Sequence, residues 1–358
     1  MLNQFKFMVS PNPVYMIFQV TGDCNLRCRH CFNHECNNEK SDDLSLLEIE
    51  KISRNMAHVK YLTLAGGEPL LRDDLPDIVS LFYQNNDLHV LNLVTNGWFT
   101  EKVVSIAGMI LEKCPGIHFS IGVSIDGPEE IHDKLRGRTD SFNRALATIR
   151  ALKKLKEQNS DAGKQLTIAA CGTYNQMNKD SLVPLAGFFR NDLNVPYYIG
   201  LIRGASLPDN DLSDIDMDHY MGVLKSVNYA SYTEMAKNYP FRHVRIAVDE
   251  IVSDIIYKSR QDNKMTVACK AGKKGFVLTA EGGILLCEVL DKRLGNVRDN
   301  NYSPYNILNS AESLLEINKI RQEKCHCTWE CFQRLNVVFS PTLYPKVALK
   351  ALKNRVIS

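Results

Sequence analysis

Between residues 14 and 205, six short apolar runs alternate with longer amphipathic stretches, and this alternation constrains the fold more than any other feature. The runs are VYMIFQV (14–20), KYLTLAG (60–66), HVLNLVT (89–95), HFSIGVSI (118–125), QLTIAACGT (165–173) and YYIGLIR (197–203). All are rich in the β-branched and aromatic residues that suit strands. Between them lie stretches of helical periodicity. In LSLLEIEKISRNM (44–56), for example, Leu44, Leu47, Ile49 and Ile52 recur at helical spacing. LPDIVSLFYQ (75–84), EKVVSIAGMILEK (101–113), NRALATIRALKKL (143–155) and DSLVPLAGFFRN (180–191) read the same way. Serial strand–helix units predict a parallel sheet with right-handed crossovers. Six units fall short of a closed eight-fold barrel. The expected class is therefore α/β, a partial (β/α)6 TIM-like barrel open on one side.

The rest of the chain divides by composition. Residues 1–205 form the expected barrel, and 206–265 an acidic, then helical connector that could cover the barrel mouth. A small cysteine-rich module follows at 266–335, and a basic amphipathic tail at 336–358. Within the module, KKGFVLTAEGGILLCEVL (273–290) reads as a hairpin turning at Gly282 and Gly283. In the tail, Leu343, Val347 and Leu352 alternate with Lys346, Lys350, Lys353 and Arg355. Such a helix packs on the module or makes peripheral contact with a membrane surface. Across the chain, 43 basic against 41 acidic side chains leave a formal charge of +2, with no global field to attract nucleic acid. No stretch approaches eighteen apolar residues, and the N-terminus lacks a leader pattern. The expected location is cytoplasmic.

Eleven cysteines occupy positions 24, 28, 31, 36, 114, 171, 269, 287, 325, 327 and 331, eight of them in two groups. Without a leader a disulfide framework is disfavoured, and soft thiolates then point to zinc or iron–sulfur. Cys24, Cys28 and Cys31 follow the first run with the spacing C-x3-C-x2-C. A structural zinc takes four ligands, commonly as two separated pairs. Three thiolates on one loop instead suit a [4Fe–4S] cubane with one iron open to an exogenous ligand.

That loop, with His30 before Cys31 and Phe32 after it, resembles the signature of the radical S-adenosylmethionine enzymes. The resemblance implies that the cofactor's amino and carboxylate groups bind the open iron. One electron then cleaves the sulfonium to methionine and a 5′-deoxyadenosyl radical, which takes a hydrogen atom from substrate. Further motifs follow in order, one at each strand end, where open α/β sheets bind ligands. Gly66-Gly67-Glu68-Pro69 looks like the family's GGEP, its glycines allowing close backbone approach. Thr95-Asn96-Gly97 follows the third run. Ser124-Ile125-Asp126-Gly127-Pro128 follows the fourth, then His132-Asp133 and Arg136-Gly137. The resemblance implies cofactor contacts from Gly66, Gly67, Glu68, Asn96, Ser124, Asp126 and Arg136. Among these, Glu68 would accept from the ammonium, Ser124 would face the ribose and Arg136 the carboxylate.

The second group resembles the auxiliary-cluster modules, called SPASM or twitch, of a large subset of these enzymes. Cys269, Gly282 and Cys287 fit C-x12-G-x4-C, and KCHCTWECF (324–332) adds Cys325, Cys327 and Cys331. The full SPASM pattern, C-x2-C-x5-C-x3-C with a further cysteine, is absent. Five thiols serve one auxiliary [4Fe–4S] cluster and not two. Cys269, Cys287 and Cys331 are the first choices, with Cys327 or Cys325 as the fourth. Cysteines two apart on an extended segment face opposite ways, which argues against both. This cluster either relays an electron from a substrate radical or serves to close the barrel mouth. Of the remaining thiols, Cys36 reads as a loop residue rather than a fourth ligand, and Cys114 lies outside both groups. Cys171, on the fifth run, is a structural thiol or a weak candidate hydrogen-atom donor. Asn175 and Arg203, at strand ends, face the expected pocket, whereas His219, Tyr220 and His243 read as surface or core residues.

The expected activity is radical modification of a small polar metabolite, sugar-like or an aminocyclitol, with the auxiliary cluster as electron relay and flavodoxin or ferredoxin as reductant. A peptide maturase is an alternative; only 23 residues precede Cys24, so it would borrow leader recognition from a partner. A lipid-linked or glycan precursor would suit the basic tail. From a different class, a zinc-stabilised module without catalysis would need the same cysteines.

Overall fold

The structure, a computed structural model, describes residues 12–34, 42–159, 162–204, 207–235, 242–290, 292–323 and 325–357; Cys36 lies outside them. Six parallel strands are joined by helices: β1 (Tyr15–Thr21), β2 (Tyr61–Gly66), β3 (Val90–Thr95), β4 (His118–Ser124), β5 (Leu166–Tyr174) and β6 (Tyr197–Leu201). The connecting helices are α1 (Leu46–Arg54), α2 (Leu75–Asn86), α3 (Thr100–Lys113), α4 (Glu129–Arg136), α5 (Ser141–Gln158) and α6 (Leu182–Asn191). Side chains alternate across each strand. Met16, Phe18 and Val20 of β1 enter the main core beneath the helices. Tyr15 and Ile17 face the other way, into a second core shared with the C-terminal residues. Burial of both faces explains why β1 reads as an unbroken apolar run.

Of the helices, α4 was not among the periodic stretches. It has only eight residues, with His132 and Leu135 as its buried face. Its end signals are nonetheless plain: Pro128 precedes it, acidic Glu129 and Glu130 fill the first turn, and Gly137 ends it with φ 67°.

After β6 come two helices, α7 (Met217–Met235) and α8 (Arg242–Asp262), and then β7 (Gly275–Leu278), β8 (Gly283–Leu285) and β9 (Arg293–Asn296). The hairpin turns at Gly282, whose φ of +89° suits glycine. Instead of standing apart, β7 pairs parallel with β1, so one nine-stranded sheet runs β6-β5-β4-β3-β2-β1-β7-β8-β9. Helices α9 (Pro304–Leu308), α10 (Ala311–Gln322) and α11 (Glu330–Val338) follow.

The terminal helix α12 (Tyr344–Ile357) lies along α8 and not on the module's strands. Two of its lysines are paired there: Lys350 with Glu250 at 3.2 Å and Lys346 with Asp254 at 3.6 Å. These pairs set the buried face, so Leu352 of the anticipated apolar stripe is 60% exposed while Val347 packs inward. No helix among the described residues is long and apolar enough to cross a membrane.

Candidate active site

Cys24, Cys28 and Cys31, all half-buried, share the loop leaving β1 at its C-terminal end. Two neighbouring segments fix this loop. Gly67 N donates to Thr21 O at 2.9 Å and Glu68 N to Asp23 O at 2.8 Å. On the other side Arg29 N donates to Leu135 O of α4 at 2.8 Å. Burial first, and then the neighbouring Cys28 and Cys31, push the Cys24 thiol up to about 11. Burial also raises Cys28. Thiols such as these become thiolates when a soft cation binds, since a metal deprotonates its thiol ligands. The donor set therefore fits an iron–sulfur cluster.

The GGEP glycines serve the close approach that their sequence suggests. A Cβ on Gly67 would stand 2.0 Å from Asp23 O, and one on Gly66 2.4 Å from Thr21 O. Glu68 is already engaged by the protein itself. Only 1% exposed, it accepts from Thr95 Oγ1 at 2.7 Å, Asn96 N at 2.7 Å and Leu70 N at 3.2 Å. These bonds tie the β2 and β3 rims together. Asn96 extends the tie, donating from Nδ2 to Asn25 Oδ1 at 2.8 Å within the cysteine loop.

Asp126 and Arg136 form a buried ion pair, Nε to Oδ2 at 2.6 Å. Burial alone would raise Asp126, but Arg136, with His30 and His132, draws it down to about 2. Thr173 N donates to its Oδ1 at 2.8 Å, and Asp126 N donates to His132 Nδ1 at 3.0 Å. Burial lowers both His30 and His132 to about 4, so both rings are neutral at pH 7. Arg136 Nη1 reaches Cys28 Sγ at 3.8 Å. Much of its guanidinium is thus committed away from the expected cofactor carboxylate. Ser124 lies at the end of β4, buried opposite Cys171 of β5. Cys171 faces the lumen against Gly122, where burial pushes its thiol up to about 12. Asn175 does not face the pocket. Its carboxamide closes the turn after β5, donating to Thr173 O at 2.8 Å and accepting from Met177 N at 3.0 Å.

In the module, Cys269, Cys287, Cys325 and Cys327 line one cavity of about 60 Å3. Cys325 and Cys327 both reach it because 325–329 is irregular coil, so strand alternation does not separate them. Burial raises all four thiols, Cys287 and Cys327 to about 12. Gln333 Nε2 approaches Cys327 Sγ at 3.6 Å, and Ala271 N approaches Cys269 Sγ at 3.5 Å. Such donors support metal-bound sulfur. Among the described residues no three His, Cys, Asp or Glu side chains converge as ligands of a single ion do. A cubane's thiolates each take a different iron and stand wider apart.

Cys331, a first choice from spacing, lies off this cavity, on α11 beside Tyr15 and within the fields of Arg203 and Glu288. It belongs to a polar lumen that sequence reasoning missed apart from Arg203. Gln19 Nε2 donates to Glu288 Oε1 at 3.3 Å. Arg203 pairs with Glu330 at 2.5 Å and lies 3.6 Å over the Trp329 ring. Burial pushes Glu288 up to about 7, against the pull of Arg203 and Gln19. Trp329 also meets Phe32 edge-on at 5.8 Å, joining the cavity wall to the residue after Cys31. The one available signal was that Glu288 and Trp329 adjoin module cysteines.

A partial barrel with three thiols at the end of β1 and a cysteine-lined annex defines a class of iron–sulfur enzyme, and the comparisons with known proteins agree. The family model described as the Radical SAM superfamily matches residues 18–162. The sporulation killing factor maturation protein SkfB of Bacillus subtilis is 24% identical over 324 residues, 88% of this chain and 69% of that protein. A cysteine-type anaerobic sulfatase-maturating enzyme of Clostridium novyi is 24% identical over 340 residues, covering 88% and 84%. The pre-heme d1 synthase of Dinoroseobacter shibae is 33% identical over 149 residues, 40% of this chain and 34% of that protein. Among solved structures, native anSMEcpe with bound AdoMet has the same fold. Its TM-score is 0.59 at 17% identity, with 95% of this chain and all of that one covered. Residues 18–162 thus match the radical SAM superfamily model, and the similarity to SkfB and to the sulfatase-maturating enzyme runs on through the cysteine-rich module. Enzymes of this superfamily bind a [4Fe–4S] cluster and S-adenosylmethionine.

Proposed function

We propose that Cys24, Cys28 and Cys31 hold the catalytic cluster, and that the chain uses it to oxidise a small polar substrate. The carrying observation is the loop after β1, which gathers three half-buried thiols among the described residues. When bound, the cluster supplies the electron that cleaves S-adenosylmethionine and generates the hydrogen-abstracting radical. The protein's part is to hold the loop against Gly67 and Glu68, and to line the space inside the strand ends. Cys269, Cys287, Cys325 and Cys327 hold a single auxiliary [4Fe–4S] cluster, positioned to accept the substrate's second electron. Phe32 and Trp329 bridge the two sites.

A polar substrate is favoured by the lumen, where the carboxylates of Glu288 and Glu330 meet Arg203 and Gln19. Such a wall suits hydroxyl or amine donors. A second reading, peptide or protein maturation, is favoured by SkfB and the sulfatase-maturating enzyme, which match across 88% of this chain. Under either reading a flavodoxin or ferredoxin is the proposed reductant.

The test is anaerobic reconstitution with iron and sulfide analysis. Two cubanes require about eight irons per chain, and 5′-deoxyadenosine should form with reductant and S-adenosylmethionine. Cys28→Ala should abolish that product while keeping about four irons. A colourless protein carrying stoichiometric zinc would defeat the proposal. Acceleration of S-adenosylmethionine cleavage by cysteine- or serine-containing peptides, and not by polyols or aminocyclitols, would select the second reading.

A further inference from the structure

We propose that the buried Arg136–Asp126 pair sets the reduction potential of the catalytic cluster, Arg136 raising it through Cys28 and Asp126 limiting the rise. The inference rests on Cys28 being a cluster ligand. Arg136 Nη1 lies 3.8 Å from Cys28 Sγ, a distance at which a guanidinium interacts strongly with sulfur charge. Reduction adds an electron to a cluster that already spreads negative charge onto its thiolates. A fixed cation there stabilises the reduced state more than the oxidised one, and charge and donors at the sulfurs are known levers on such potentials. The Arg136 side chain is only 11% exposed, so water screens little of this field.

Asp126 supplies the opposite charge. Its side chain is fully buried, contacts Arg136 Nε at 2.6 Å, and is held on its other oxygen by Thr173 N. Its backbone is fixed as well, the carbonyl accepting from Asn178 Nδ2 at 2.7 Å and the N–H donating to His132. The pair is therefore rigid, and its two ends act on the sulfur with opposite sign. A merely structural pair would not behave so: breaking it from either end would disturb the loop alike.

The experiment is a redox titration of the full-length, anaerobically reconstituted enzyme without S-adenosylmethionine, followed by electron paramagnetic resonance. First, the catalytic signal must be present in wild type and lost in Cys28→Ala; otherwise the ligand assignment fails, and not this inference. Arg136→Gln should then lower the catalytic midpoint, and Asp126→Asn should raise it. Each shift should change the reduced-to-oxidised ratio at fixed potential about tenfold, 59 mV for one electron. Arg136→Lys should stay near wild type, and the auxiliary midpoint should not move. Shifts of the same sign, no shift, or equal movement of both clusters would overturn the inference. If Arg136→Gln does not retain its iron, Asp126→Asn decides: a raised midpoint supports the inference and an unchanged one overturns it. If neither variant keeps the catalytic cluster, the pair is structural and the inference falls.

Discussion

Replacing Gly67 by alanine tests whether close packing of the β2 rim against the cysteine loop positions the catalytic site. The added Cβ would lie 2.0 Å from Asp23 O and 2.5 Å from Asp23 C, both backbone atoms that no rotamer can move aside. Ordinary contact begins at 3.4 Å, so the loop must retreat by about 1.4 Å just before Cys24. That displacement carries the bonds Gly67 N to Thr21 O and Glu68 N to Asp23 O, now 2.9 and 2.8 Å, out of hydrogen-bond range. Two such bonds are worth about 2 kcal/mol net. A misplacement of about 1 Å at a reacting centre costs on the order of a hundredfold in rate. Gly108→Ala in the middle of α3 is the control, since nothing lies within 4 Å of its Cβ. There alanine should gain roughly 0.5–1 kcal/mol as the better helix former. Denaturant unfolding of the apo chain, iron content and the rate of 5′-deoxyadenosine formation read all three effects. A Gly67→Ala enzyme with wild-type stability, full iron and a rate within about twofold of wild type, against that hundredfold expectation, would refute the reasoning.

The module makes a prediction on thiol identity. Cys325→Ser and Cys327→Ser should each lose about four irons on reconstitution, whereas Cys331→Ser should keep them. Glu68→Ala strands the Thr95 hydroxyl and the Asn96 and Leu70 N–H groups, costing on the order of 3 kcal/mol by chemical denaturation. Glu68→Gln should cost less, because its amide oxygen still accepts. In acid, Glu48 should matter. Arg298, donating to it at 2.7 and 3.2 Å, and the Ser45 cap hold it at about 2, below its ordinary 4.5. The stabilisation is therefore complete above pH 4.5 and lost as pH falls toward 2. Arg298→Gln should weaken the protein at neutral pH and flatten that acid limb in pH-dependent denaturation.

The barrel was legible in the sequence because every strand buries at least one apolar face in the main core. Each of the six apolar runs became a strand whose ends moved by only a residue or two. Less legible was α4, since two buried side chains in eight residues make no periodic signal, although Pro128 and Gly137 marked its ends. The pairing of β7 with β1 was not readable either: it joins residues some 260 positions apart through backbone bonds that carry no side-chain code. The thiol groups were legible from spacing, but the choice among five module cysteines was not. That choice depended on whether 325–329 is strand or coil, and coil undoes the alternation argument.

Glu68 shows the limit of reading roles from motifs. Placed after β2 and following two glycines, it suits a ligand-binding carboxylate, yet its oxygens accept from Thr95, Asn96 and Leu70. A carboxylate has about four acceptor sites, so three protein donors do not exhaust it. They do decide its geometry before any ligand arrives. Asp126 and Arg136 follow the same rule, forming an ion pair with each other beneath the cysteine loop. A rim that presents three thiols to the proposed cluster cannot rely on the metal to hold it in shape. Its buried charges and close-packed glycines have to do so, which is why substitutions one layer behind the cysteines should disturb the cluster as strongly as many in front of it.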